Sequence, residues 1–200
     1  MGVRYTDAVQ AHLRRLAEAA GAAAGEVAAP AARYADWVVE TLTTGGRLFL
    51  CGNGGSAATT EHIAAEYSVR FRRLRGSLPA LALSSSTAAL TAAANDFGFE
   101  HVFARALAAH ARPGDLLVLH STSGASRNLL EAAAAARDMA VRTVALLGRS
   151  AGGLADLVDL AIHVPADETA VVQEIHLALE HCVADLVDAH FAAADGEAVT

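Results

Sequence analysis

Lysine is missing from this sequence: all 15 of its cationic side chains are arginines. That absence removes whole reaction classes. Schiff-base aldolases and pyridoxal enzymes need a lysine amine, and a Walker A phosphate loop needs Gly-Lys-Ser/Thr. Cysteine is scarce too, with only Cys51 and Cys182 and no paired spacing, so both are read as small buried apolar residues. Aromatics make up only 5% of the chain while alanine abounds, which fits close-packed helices better than an all-β fold. The N-terminus lacks a charged-then-apolar leader and no apolar run reaches membrane length, so a cytoplasmic protein with no membrane partner is expected. A formal net charge of -7 argues against nucleic acid as a partner.

What the chain does have is alternation. Its 200 residues suit one domain, with N-terminal helices over 1–44 and an α/β core over 45–192. Two leading amphipathic helices are expected at 5–20 and 31–42, separated by a Gly-Ala-rich stretch and Pro30. Short apolar runs at 47–51, 79–83, 115–120, 143–147 and 160–164 then alternate with helical patterns, the last of them over 168–191. Strands and helices spaced this way make right-handed βαβ units. The fold class expected is α/β: a three-layer, doubly wound, five-stranded parallel sheet. A continuous run such as Leu116-Leu-Val-Leu119 fits a strand covered on both faces.

The most informative stretch follows the first strand. Gly52-Asn-Gly-Gly-Ser56 turns into a helix that carries His62 and Glu66, four residues apart and so on one face. Glycines let backbone approach a ligand closely, and the first amides of a helix point outward unpaired. One element thus offers a phosphate cradle followed by an imidazole and a carboxylate. Two further polar loops, 84–87 and 121–126, leave strands at the same carboxyl edge, where ligands bind in such sheets. Ser121-Thr-Ser-Gly-Ala-Ser126 can hold phosphate through hydroxyls and helix amides, or can simply cap a helix with Ser126. The basic run Arg70-Phe-Arg-Arg-Leu-Arg75 reads as a solvated helix end, with Arg70 facing a ligand as the alternative.

The loop also satisfies the loose G-x-G-x-x-A pattern of dinucleotide folds. That fingerprint needs an acid at the end of the second strand, where this chain has Ser84-Ser-Ser86. No nucleotide cofactor is therefore expected.

Five segments in order, Cys51-Gly-Asn-Gly-Gly-Ser56, His62-Ile-Ala-Ala-Glu66, Asn95-Asp-Phe-Gly98, Ser121-Thr-Ser-Gly-Ala-Ser126 and Gln173-Glu-Ile-His176 with His181, resemble the phosphoheptose isomerases of the sugar isomerase (SIS) superfamily. The resemblance implies an aldose–ketose isomerase acting on sedoheptulose 7-phosphate, with Glu66 and His181 as the catalytic pair. It also implies substrate contacts from Asn53, Gly54, Gly55, Ser56, Glu66, Asn95, Asp96 and Gln173, and phosphate contacts from Ser121, Thr122, Ser123 and Ser126. His62, Glu66, Gln173 and His181 match the zinc ligands of some members, and a homotetramer with active sites near subunit boundaries is implied.

Residue chemistry agrees with that reaction type, since a carboxylate can move the carbon-bound proton and an imidazole the oxygen-bound ones. Two points restrain the metal reading. Gln173 and His181 stand about 12 Å apart along a straight helix, so the helix begins after Gln173, the two come from different subunits, or only one is a ligand. A carboxylate held by zinc is also a poorer base. The chain departs from the family pattern at Ser85-Ser86, where many relatives have Thr-Asp, and at His120, where a small or apolar residue is common. The competing function is a non-catalytic SIS protein that binds a sugar phosphate or a protein partner, but such paralogues tend to lose the glutamate that is Glu66 here.

Overall fold

The structure, a computed structural model, describes residues 5–150 and 152–195. One helix, α1 (Tyr5–Thr43), replaces the expected leading pair and carries Pro30 inside it. A proline ring is compatible with helical φ and forfeits one backbone bond, at about 3 kcal/mol. Alanine-rich flanks favour helix on both sides, and burial of Ala23, Val27, Ala31, Tyr34 and Val38 across the break holds the two halves in line. The Gly-Ala stretch is thus helical rather than the break expected between two helices.

The rest alternates: β1 (Leu48–Gly52), α2 (Gly55–Ser68), β2 (Ala80–Ala82), α3 (Thr87–Phe97), α4 (Val102–His110), β3 (Leu116–Ser121), α5 (Arg127–Asp138), β4 (Arg142–Leu147), β5 (Leu160–His163) and α6 (Thr169–Asp195). A short 3₁₀ turn, Phe99–His101, separates α3 from α4. Asn95 to Phe97 complete the last turn of α3, which Gly98 ends. The last helix, expected over 168–191, runs on to Asp195.

The five strands form one sheet in the order β2-β1-β3-β4-β5, and every neighbouring pair is parallel. Alternation along β3 divides the core. Leu116 and Val118 pack with residues of α1, α2 and α6 on one face, while Leu117 and Leu119 pack with α4 and α5 on the other. The three-layer, doubly wound reading holds. No helix among the described residues is long and apolar enough to cross a membrane.

The basic run at 70–75 is not a solvated helix end. It follows α2 as a strap laid across α6, and its last residue, Arg75, is buried. The Arg75 guanidinium donates to Asp188 Oδ1 at 2.5 Å and to the carbonyls of Tyr67 and Glu66 at 2.9 and 2.8 Å, closing the C-terminus of α2. The backbone N–H groups of Arg72 and Arg73 also donate to Asp188. Burial alone would raise the Asp188 carboxyl, but the Arg73 amide and the Arg75 guanidinium together hold it below its ordinary range. Arg75→Ala strands a fully buried carboxylate and should destabilise the fold by about 3–5 kcal/mol, read as a lowered urea midpoint. A midpoint within experimental error of wild type would contradict this assignment.

Candidate active site

β1 and β3 are neighbours in the sheet, yet the helices that follow them pack on opposite faces, α2 on one and α5 on the other. Their loops part at the carboxyl edge and leave a crevice, the switch point where ligands enter folds of this order. A cavity of about 280 Å³ occupies it, lined by Asn53 to Ser56, by His120 to Ser123 and Ser126, and by Thr169 and Gln173. Gly54 has a φ of 58°, which a side chain resists. At Gly55 a Cβ would lie 2.6 Å from the Gln173 amide oxygen, so glycine there lets α6 close over the loop.

Two of the three expected loops converge. Ser121 Oγ accepts from the Gly124 N–H at 3.0 Å and Ser123 Oγ from the Ala125 N–H at 3.3 Å, curling the loop around the cavity. Ser126 stands at the N-cap of α5 but its hydroxyl makes no capping bond, which leaves it open to an anion. The third loop does not join. Ser84 donates to Glu61 and Ser86 caps α3, at the far side of edge strand β2. Asn53 contributes mainly backbone: its side-chain amide exchanges two hydrogen bonds, at 2.9 and 2.8 Å, with Asn128 on α5. Nothing in the spacing of Asn128 flagged that role.

The second half of the site lies in the groove where α2 and α6 pack side by side. His62 Nε2 is 3.0 Å from His181 Nε2 and 3.5 Å from Glu66 Oε1. Within one chain, therefore, His62 joins the expected base to the expected imidazole. The His181 ring stacks on Phe71 at 5.4 Å between centroids and 11° between planes. Asn95 and Asp96, by contrast, are exposed on α3, bonded to each other, and outside the cavity of their own chain.

A profile of the SIS domain family matches residues 4–148. The phosphoheptose isomerase of Roseiflexus sp. (strain RS-1) is 51% identical over 154 residues, 77% of this chain and 78% of that protein. The phosphoheptose isomerase of Thiobacillus denitrificans is 44% identical over 91% of this chain and 94% of its own. The solved structure of phosphoheptose isomerase from Neisseria gonorrhoeae superposes with a TM-score of 0.88 at 38% identity, over 92% of this chain and 99% of that one.

The chain belongs to the SIS-domain phosphoheptose isomerase family.

It is accordingly an enzyme, a phosphosugar isomerase, and the serine loop and the Glu66–His62–His181 group are the features that suit this chemistry. The zinc set expected from the family is only partly assembled in one chain. His62, Glu66 and His181 supply donors of the kind zinc takes. Here, however, they pair with one another, and no group of three or more His, Cys, Asp or Glu among the described residues is set to hold an ion. Gln173 lies over Gly55, and α6 runs unbroken from Thr169, so a late helix start does not bring Gln173 to His181.

The cysteines divide. Cys51 is buried in β1 and burial pushes its thiol up, away from reactivity. Cys182 is exposed, contrary to the expectation of a buried apolar residue, because it follows His181 on a turn of α6 that faces outward.

A buried polar cluster that the spacing gave no sign of lies beneath the cavity. His120 Nε2 donates to Glu180 Oε1 at 2.7 Å and the Tyr34 hydroxyl donates to Glu180 Oε2 at 3.1 Å. Burial and the Glu180 charge raise the Tyr34 and Tyr67 hydroxyls well above their ordinary range. His176 meets the His120 ring edge-on at 5.7 Å and donates from Nε2 to the Leu147 carbonyl at 3.2 Å. Burial first, and the His120 charge second, push His176 from its ordinary 6.5 down to about 3, against the pull of that carbonyl. The folded state thus keeps His176 neutral where the unfolded chain takes up a proton. Stability is whole above pH about 6.5 and falls as pH drops towards 3, with a slope approaching about 1.4 kcal/mol per unit. His176→Gln, which keeps a donor for Leu147, should flatten the loss of urea midpoint between pH 7 and 5; equal slopes in both proteins would remove His176 as its cause.

Proposed function

We propose that this enzyme interconverts sedoheptulose 7-phosphate and glycero-manno-heptose 7-phosphate through an enediol. The observation that carries the reading is the meeting of Glu66, His62 and His181 in one groove, at a distance from a separate hydroxyl-lined cavity. Gln173 borders that cavity and His181 lies about 12 Å further along the same helix. A seven-carbon chain with its phosphate at one end and its carbonyl at the other suits such a division.

The phosphate would rest against Ser121, Thr122, Ser123 and Ser126 and the first amides of α5. Glu66 removes the proton from C1 of the ketose and a proton returns at C2. His181 gives a proton to O2 and takes one from O1, so the exchange closes without a net change in the enzyme. Binding energy gathered at the phosphate fixes the reacting carbons against the carboxylate. His62, bonded to His181, holds that ring in place for its part.

Zinc and assembly belong to the same proposal. A zinc ion would draw on His62, Glu66 and His181 in place of the contacts they make with one another here, and would polarise the sugar carbonyl. A homotetramer is supported by the apolar stripe of Tyr5, Val9 and Leu13 on α1, exposed at 81%, 59% and 57%. Asn95 and Asp96, beside the exposed Phe97 and Phe99, would reach the site of a neighbouring copy. Native mass spectrometry reads both points at once: four chains with bound zinc are expected, and a metal-free monomer would remove them.

Glu66→Gln should abolish turnover of sedoheptulose 7-phosphate, by a factor of about 10² or more, and leave its binding largely in place. Ser121→Ala combined with Ser123→Ala should weaken binding instead. Wild-type turnover in the first variant, or unchanged affinity in the second, would overturn the corresponding role.

A further inference from the structure

The two halves of the proposed site are joined by a buried bond between two residues far apart in sequence, one at the floor of the cavity and one on α6. His120 directly precedes Ser121 at the end of β3, and Glu180 directly precedes His181 on α6. Their side chains are 2.7 Å apart, and both are 0% exposed. Tyr34 on α1 holds the other oxygen of Glu180, so the joint is braced from a third element.

Stability does not explain this cluster. A buried ion pair is commonly matched or bettered by apolar side chains of similar size. Here the cost is greater, because Tyr67 Oη, His120 Nδ1 and His176 Nδ1 are all buried without a hydrogen-bond partner. Glu180 sits among elements whose inward residues are mostly apolar, Val38, Leu50, Ile63 and Val183 among them, where an apolar pair would orphan only the Tyr34 hydroxyl. A directional bond does one thing an apolar pair does not: it sets the distance and register between two elements.

Resting on the phosphosugar reading of the site, we propose that His120 and Glu180 are positioning residues that tie the phosphate loop to the helix carrying His181. Seating a phosphoryl group on the loop then fixes the imidazole relative to the reacting carbons. The pair acts through Ser121 and His181 and needs no contact with the substrate.

The test is the double variant His120→Leu with Glu180→Leu, which removes the joint and leaves no unpaired buried charge, since either single change would. It should fold with a thermal midpoint near that of wild type, the stranded Tyr34 hydroxyl offsetting the gain from removing the buried charge. Its kcat on sedoheptulose 7-phosphate should fall by roughly ten- to a hundredfold, while inhibition by inorganic phosphate stays within about twofold of wild type. Nitrogen NMR of labelled histidine, at one fixed pH, gives a readout that needs no turnover. Inorganic phosphate should shift the His181 ring signals in wild type and leave them still in the double variant.

An unchanged kcat in a folded double variant, or a His181 response to phosphate that survives in it or is missing from wild type, would overturn the joint. Failure of the phosphosugar reading looks different: wild type would leave sedoheptulose 7-phosphate untouched although phosphate still moved His181, which supports the joint without that substrate.

Discussion

Everything functional in this molecule depends on how the chain leaves two adjacent strands. Parallel strands β1 and β3 lie side by side, and the sheet order sends α2 to one face and α5 to the other. The crevice is thus a consequence of topology before any side chain is considered. The reciprocal amide bonds between Asn53 and Asn128 span it and keep its walls at a set width. Helix amides, a glycine that admits Gln173, and the four hydroxyl residues of the 121–126 loop line the proposed anion site, with no lysine.

From that crevice the proposed chemistry runs along α2 and α6. These helices start at the same edge and run down one face together, so that residues a turn or two along each meet in pairs. Gly55 meets Gln173, and His62 meets His181. Glu66, one turn past His62, enters the same group. The strap from Arg70 to Arg75, drawn onto α6 by Asp188, closes the far end and lays Phe71 against the His181 ring. A chain without a single lysine thus spends its arginines on structure: Arg75 caps a helix and neutralises a buried acid, while Arg33 and Arg142 flank Trp37 at 4.8 Å each.

Burial of polar groups is concentrated where the layers must be held in register. Glu180 collects the hydroxyl of Tyr34 and the imidazole of His120, and His176 reaches the end of β4. Apolar packing fills space but leaves sliding soft, whereas hydrogen bonds of fixed length do not. The same groups make the fold sensitive to acid, because His176 is kept neutral and Asp188 is kept charged by their surroundings.

Local sequence determined much of this. Five apolar runs, their spacing, the glycine loop after β1 and the i, i+4 placement of His62 and Glu66 are set by neighbours in the chain, and each was legible there because period and turn chemistry are local properties. The continuity of α1 through Pro30 was not, since burial of distant residues outweighed a local break. Nor was the departure of the Ser84 to Thr87 loop from the site, the exposure of Cys182, or the burial of Arg75. The tertiary structure alone decided that His181 meets His62 across 119 positions of chain, that Asn53 is answered by Asn128, and that His120 finds Glu180. Such pairings depend on where separate elements come to rest against one another, and no periodicity within either element encodes its partner.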